Sequence, residues 1–202
     1  MFLRTESFSQ YIRMYPVVSA LIGINVLIHI LSWIPALGVP IINYGVGWNQ
    51  GISEGEWWRF ITPVFLHSGF AHLLFNMFSL FLFGPELERL TGKVRFFTIY
   101  ILAGLFGSAA TYFLQPLDYF HVGASGAIFG IFGAFGALLY YGGRVLPQLR
   151  QIILPIIVIS IVMTFLTPGI NATAHIAGMI TGFLIGLSYF HPKRIVSWKA
   201  KK

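Results

Sequence analysis

The sequence predicts an all-α, polytopic membrane protein of six helices, and three observations carry that prediction. Hydrophobic residues make up 56% of the 202 residues and charged residues only 9%, where a soluble domain has roughly 45–50% and 25%. Stretches without Asp, Glu, Lys or Arg run over 14–53, 60–85, 96–117, 119–143 and 151–192, each able to hold the ~20 apolar residues that cross a bilayer. Twelve of the thirteen Lys and Arg residues fall on one side of the resulting layout. With a mean hydropathy of +0.78, the chain cannot clothe a soluble globule in charge, so lipid must cover much of it. The same composition excludes disorder. The absence of cysteine excludes disulfides, thiol nucleophiles, cysteine–zinc sites and iron–sulfur clusters.

The first helix is expected over about 16–37, opened by Pro16 and followed by a Gly/Pro-rich outer loop over 38–69. That loop is the one long connection, and long loops are often functional. Its Trp48, Trp57 and Trp58 suit a bilayer interface. Past Pro63 and the Ser68-Gly69 break, a second helix is expected over about 70–90. The third and fourth, about 94–114 and 124–142, are separated by Pro116 and Asp118. The last charge-free stretch is too long for one span, and Thr167-Pro168-Gly169 is a turn signal that divides it into 149–167 and 172–190. Met1 to Tyr15 lacks the apolar run of a cleavable signal, and no sizeable soluble domain fits at either end, so 1–202 reads as a single membrane domain.

Orientation follows from the charges. Arg4 and Arg13 precede the first helix; Arg89, Lys93 and Arg95 lie between the second and third; Arg144 and Arg150 lie between the fourth and fifth; Lys193, Arg194, Lys199, Lys201 and Lys202 close the chain. Only Arg59, with Glu54 and Glu56, lies opposite. The positive-inside rule puts both termini in the cytoplasm. The net charge of +7 is therefore a topology signal, and its division among four short segments argues against a nucleic-acid partner.

Polar residues inside spans are costly and mark function by default. The second, fourth and sixth helices all run from outside inward. His72 and Asn76 lie one to two turns into the second, Ser125 opens the fourth, and His175 lies about one turn into the sixth. At 1.5 Å per residue, all four fall within roughly 10 Å of one outer boundary. Ser125, between Gly123 and Gly126, sits at a helix start with unpaired N–H groups and a positive dipole end, so its own N–H is a ready oxyanion donor. His175 is the natural general base. His72 and Asn76, four apart, share a helix face and could donate to a developing oxyanion. Gly126, Gly130 and Gly133, and Gly178, Gly182 and Gly186, are spaced for close helix packing. Packing alone would also account for the glycines, and a histidine bonded to a backbone carbonyl would account for His175. No carboxylate shares the depth of the four residues, which favours a Ser–His dyad over a triad. A metal is disfavoured because His67 and His72 are five apart, and His29 and His191 read as structural or interfacial.

These residues resemble the rhomboid family of intramembrane serine proteases. The stretch Glu56-Trp57-Trp58-Arg59, Thr62-Pro63, His67 and His72-Leu73-Leu74-Phe75-Asn76 is similar to the family's outer loop and second helix. Glu88 with Gly92, Gly123-Ala124-Ser125-Gly126, and Ala174-His175 with Gly178 and Gly182 are similar to its later motifs. The similarity runs over about 54–190. It implies a rhomboid-like six-helix bundle in which Ser125 is the nucleophile, His175 its base, and His72, Asn76 and the Ser125 N–H form the oxyanion hole. Trp57 and Arg59 would brace the outer loop, Glu88 would hold the inner end of the second helix, and Phe129 would pack on His175. No cofactor or metal is implied. The expected partners are the lipid bilayer and protein substrates carrying transmembrane segments, cut near the outer face of a bacterial plasma membrane. The oligomeric state stays open. A non-proteolytic module of the same fold that binds transmembrane segments is the alternative. A transporter would need broken helices in two related halves, and the fourth helix does not repeat the first.

Overall fold

A computed structural model of the chain describes residues 5–142 and 147–192. Of the basic residues used for orientation, Arg4, Arg144, Lys193, Arg194, Lys199, Lys201 and Lys202 lie outside the described residues. The elements are α1 Phe8–Met14, α2 Pro16–Leu31, α3 Pro35–Gly45, β1 Gly47–Trp48, α4 Asn49–Ser53, α5 Phe70–Thr91, α6 Lys93–Leu114, β2 Phe120–His121, α7 Ser125–Gly142, α8 Pro147–Leu166 and α9 Ala172–Tyr189. Two 3-10 turns, Trp57–Phe60 and Thr62–Phe65, lie between α4 and α5. Among the described residues, the helices α5 to α9 are each long and apolar enough to cross a membrane; α2 meets the same measure only when joined to α1, from which it is bent by 112°. The protein is an all-α, multi-pass integral membrane protein.

The five later helices begin and end within two residues of the sequence expectation, but the first does not. Expected to reach Leu37, α2 stops at Leu31 after 16 residues. The cause is Pro35, which drives Ile34 out of the helical region to φ −86°, ψ 112° and then opens α3 at its own first turn. The expected loop over 38–69 is correspondingly much more ordered than a loop: it contains most of α3, β1, α4 and both 3-10 turns.

Helix α7 is the centre of the bundle. It packs most closely on α9, and α6 packs on both. Small residues make this possible. A Cβ added to Gly178 would strike the Gly126 carbonyl oxygen, one on Gly182 would strike that of Gly130, and one on Gly133 would strike that of Met179. These are backbone-to-backbone contacts, which in lipid stand in for the hydrophobic drive that is missing there. At the opposite end from the site, both oxygens of Glu88 accept from the N–H groups of Val17 and Val18, at 3.2 and 2.9 Å. Glu88 thus ties the end of α5 to the start of α2. Gly92, at φ +83°, makes the turn into α6.

Gly182→Val is expected to overpack the α7–α9 contact and destabilise the fold by about 1–3 kcal/mol or more. Gly23→Val, where a Cβ meets nothing within 4 Å, is the control and stays within about 0.5 kcal/mol of wild type. Reversible unfolding in mixed micelles measures both.

Candidate active site

Ser125 is the first residue of α7, and His175 lies in the first full turn of α9. The residues beside them are in van der Waals contact: a Cβ on Gly126 would sit 3.3 Å from the Ala174 carbonyl oxygen, and one on Gly107 of α6 would sit 3.0 Å from the same atom. Asn171 caps α9, its Oδ1 accepting from the Ala174 N–H at 3.0 Å, while its Nδ2 donates to Thr111 Oγ1 of α6 at 2.9 Å. The start of α9 is therefore hooked to α6 and pressed on α7 at the same level.

Ser125, His175, His72, Asn76 and Phe129 all line one partly open cavity of about 1110 Å³. The Phe129 ring stacks on His175 with centroids 4.0 Å apart and 19° between planes, which fixes the imidazole plane. His175 Nδ1 lies 2.9 Å from Thr164 Oγ1 on α8. Gly123, at φ +128°, turns the chain into α7 and donates its N–H to the Pro63 carbonyl at 2.9 Å. A side chain at Gly123 is excluded twice, by that backbone angle and because a Cβ would lie 2.7 Å from His72 Nε2. The same point is 3.6 Å from Ser125 Oγ, so His72 Nε2 and the serine oxygen flank one spot. His72 Nδ1 pairs with Ser68 Oγ at 3.1 Å, and Asn76 Nδ2 donates to the His72 carbonyl at 2.8 Å. Among the described residues no hydrogen bond joins Ser125 Oγ directly to His175.

The site end is braced mainly by Arg59, which is buried. It pairs with Glu56 and donates to the carbonyls of Val46 and Asn43 at 2.6 and 2.7 Å, closing the C-terminal end of α3. Trp57 does not share that work: it is 71% exposed. Its neighbours do so instead, Trp58 donating to the Tyr44 carbonyl at 2.9 Å and Trp48 stacking on Phe120. From sequence, three tryptophans in one loop look alike; only the backbone turns separate the one that points outward.

Several residues at the site carried little sequence signal. His67, in the segment before α5, brings its ring to 5.0 Å from that of His72, despite the five-residue spacing. His29 of α2 is buried and lines the same cavity. His191 packs its ring on Tyr141. Among the described residues no group of three His, Cys, Asp or Glu is placed to hold a metal ion. Thr164 was invisible because a threonine in an apolar run usually just bonds its own helix.

A family model for the rhomboid domain matches residues 54–192. The rhomboid-family protein YdcA of Bacillus subtilis (strain 168) is 43% identical over 187 residues, covering 92% of this chain and 94% of YdcA. Rhomboid protease GluP of the same organism is 40% identical over 157 residues, covering 76% of this chain and 30% of GluP. Rhomboid-type serine protease 2 of Emericella nidulans is 34% identical over 153 residues, covering 74% of this chain and 30% of that protein. The chain belongs to the rhomboid family, a class of intramembrane serine hydrolases.

Outside the spanning helices, burial pushes His121 of β2 down to about 4. It is neutral when folded and protonates near 6.5 when unfolded. Its contribution is fully present above pH 6.5 and is lost as pH falls from there to about 4, at up to about 1.4 kcal/mol per pH unit. His121→Gln is expected to flatten that part of the stability–pH curve, as measured by unfolding at pH 7 and pH 5.

Proposed function

We propose that this chain is an intramembrane serine endopeptidase in which Ser125 and His175 act as a catalytic dyad on protein substrates that carry transmembrane segments. The observation that carries the reading is the meeting of Ser125, a ring-stacked His175, His72 and Asn76 on one cavity, held by helices whose backbones touch. Membership of the rhomboid family supports the same chemistry.

The steps follow from the geometry. Ser125 Oγ attacks the scissile carbonyl carbon as its proton passes to His175 Nε2. The carbonyl electron pair moves onto the oxygen, where the Ser125 N–H, the Asn76 amide and His72 Nε2 stabilise it. With the Ser68 hydroxyl donating to His72 Nδ1, Nε2 carries a proton and serves as a donor. Collapse of the intermediate breaks the C–N bond, and the proton on His175 goes to the leaving nitrogen. Water, deprotonated by His175, then adds to the acyl carbon; the bond from that carbon to Ser125 Oγ breaks, the proton on His175 returns to Oγ, and the second product leaves. Donors fixed in advance around the developing charge supply much of the acceleration. Asn171 and Gly123 work only through backbone placement.

The substrate must present an extended segment, because a helical carbonyl is already bonded and shielded. Helices α5 and α8 face each other across the cavity without packing closely, which favours entry between them, with α8 the element that gives way. The distribution of Lys and Arg supports cytoplasmic termini and a site that opens to the outer face of the membrane; the resemblance to the bacterial relatives supports a bacterial plasma membrane.

Cleavage of a labelled single-span substrate in proteoliposomes tests this. Ser125→Ala and His175→Ala are expected to abolish it, and Asn76→Ala to slow it by about 10²-fold. Wild-type cleavage matched by Ser125→Ala would end the reading. A folded wild type that neither cleaves nor reacts with a serine-directed fluorophosphonate would point to a module that only binds transmembrane segments.

A further inference from the structure

Helix α8 makes little contact with the rest of the protein. Most of its side chains face outward, and among its described residues only Leu149 and Ile153 near its start and Thr164 near its end are buried. Thr164 is 3% exposed, the most deeply placed polar residue on the helix. Its Oγ1 makes two contacts, 2.8 Å to the Ser160 carbonyl oxygen and 2.9 Å to His175 Nδ1. A hydroxyl has one hydrogen to give and two lone pairs to offer. The Ser160 carbonyl can only accept, so the hydroxyl hydrogen is committed there. The contact to His175 then has one workable sense: Nδ1–H donates to Thr164 Oγ1.

We propose that Thr164 is the positioning residue for His175, accepting a hydrogen bond from Nδ1–H and thereby holding Nε2 unprotonated on the side of Ser125. The inference rests on the Ser125–His175 reading and deepens it. Thr164 neither gives nor takes a proton in the reaction. It selects the tautomer that can act as a base, and with the Phe129 stack it fixes both the rotation and the plane of the ring. A neutral hydroxyl from the neighbouring helix thus occupies the position that a buried carboxylate fills in a Ser-His-Asp triad. It also puts one condition of catalysis on α8.

The test uses the full chain in neutral-lipid proteoliposomes, with Thr164→Val, which keeps the shape, and Thr164→Ser, which keeps the hydroxyl. Labelling of Ser125 by a small fluorophosphonate reports nucleophile activation without passage of a transmembrane segment. Thr164→Val is expected to slow labelling roughly tenfold, and to lower kcat by the same factor with KM unchanged. Thr164→Ser is expected to stay within about threefold of wild type. Labelling of Thr164→Val as fast as wild type would overturn the proposal, and so would a change confined to KM, which is what a role in the packing of α8 alone predicts. The ¹⁵N spectrum of His175 in the wild type decides the point even if Thr164→Val does not fold. A proton on Nδ1 supports the proposal, and a proton on Nε2 in the resting enzyme overturns it. Failure of the wild type to label while Nδ1 remains protonated would sink the protease reading and leave the Thr164–His175 bond standing.

Discussion

The candidate site exists because the backbones of α7 and α9 touch. In a bilayer two helices gain nothing by hiding apolar surface from each other, since lipid is equally apolar, and association depends on how closely the atoms can pack. Gly126 and Gly130 on one helix and Gly178 and Gly182 on the other bring carbonyl oxygens against Cα atoms. Rigid helices that touch along several turns have their first turns fixed relative to each other. Ser125 and Asn171 stand at those starts, with His175 just after. The separation between Ser125 and His175 is therefore set by the glycines, and α6 locks the same level through Gly107 and Thr111.

The second constraint is the cost of an unsatisfied polar group away from water. Several helix ends near the site meet it with a side chain. Asn49 Nδ2 reaches the carbonyls of Thr111, Gln115 and Pro116 at the end of α6, Arg59 closes α3, and Asn171 opens α9. The β1–β2 pair, with Gly47 opposite His121 and Trp48 opposite Phe120, joins the segment after α3 to the one before α7.

Much of this was legible in the sequence. Charge-free runs of the right length marked α5 to α9, because crossing a bilayer leaves little freedom in composition. The convergence of His72, Asn76, Ser125 and His175 followed from depth arithmetic alone, since helices of constant rise alternate in direction. The region before α5 was much less legible. Its Gly and Pro content reads as a loop, yet Pro35 and Pro40 both lie within α3, one at its start and one exposed in its interior. Trp57 and Trp58 differ only through the 3-10 turn that carries them. Thr164 could not be read because its partner lies on another helix, and no periodicity encodes which way a single hydroxyl in an apolar run will turn.

The sparse contacts of α8 have a consequence for how the protein answers its surroundings. A helix gripped on all sides takes its position from the protein, whereas one whose surface is mostly lipid takes it partly from the bilayer. Hydrophobic thickness, tilt and acyl-chain order then act on α8 directly, while α7 and α9, locked by their glycines, do not respond. One wall of the cavity is thus set largely against lipid, and the opposite pair of helices is set by its own backbone contacts.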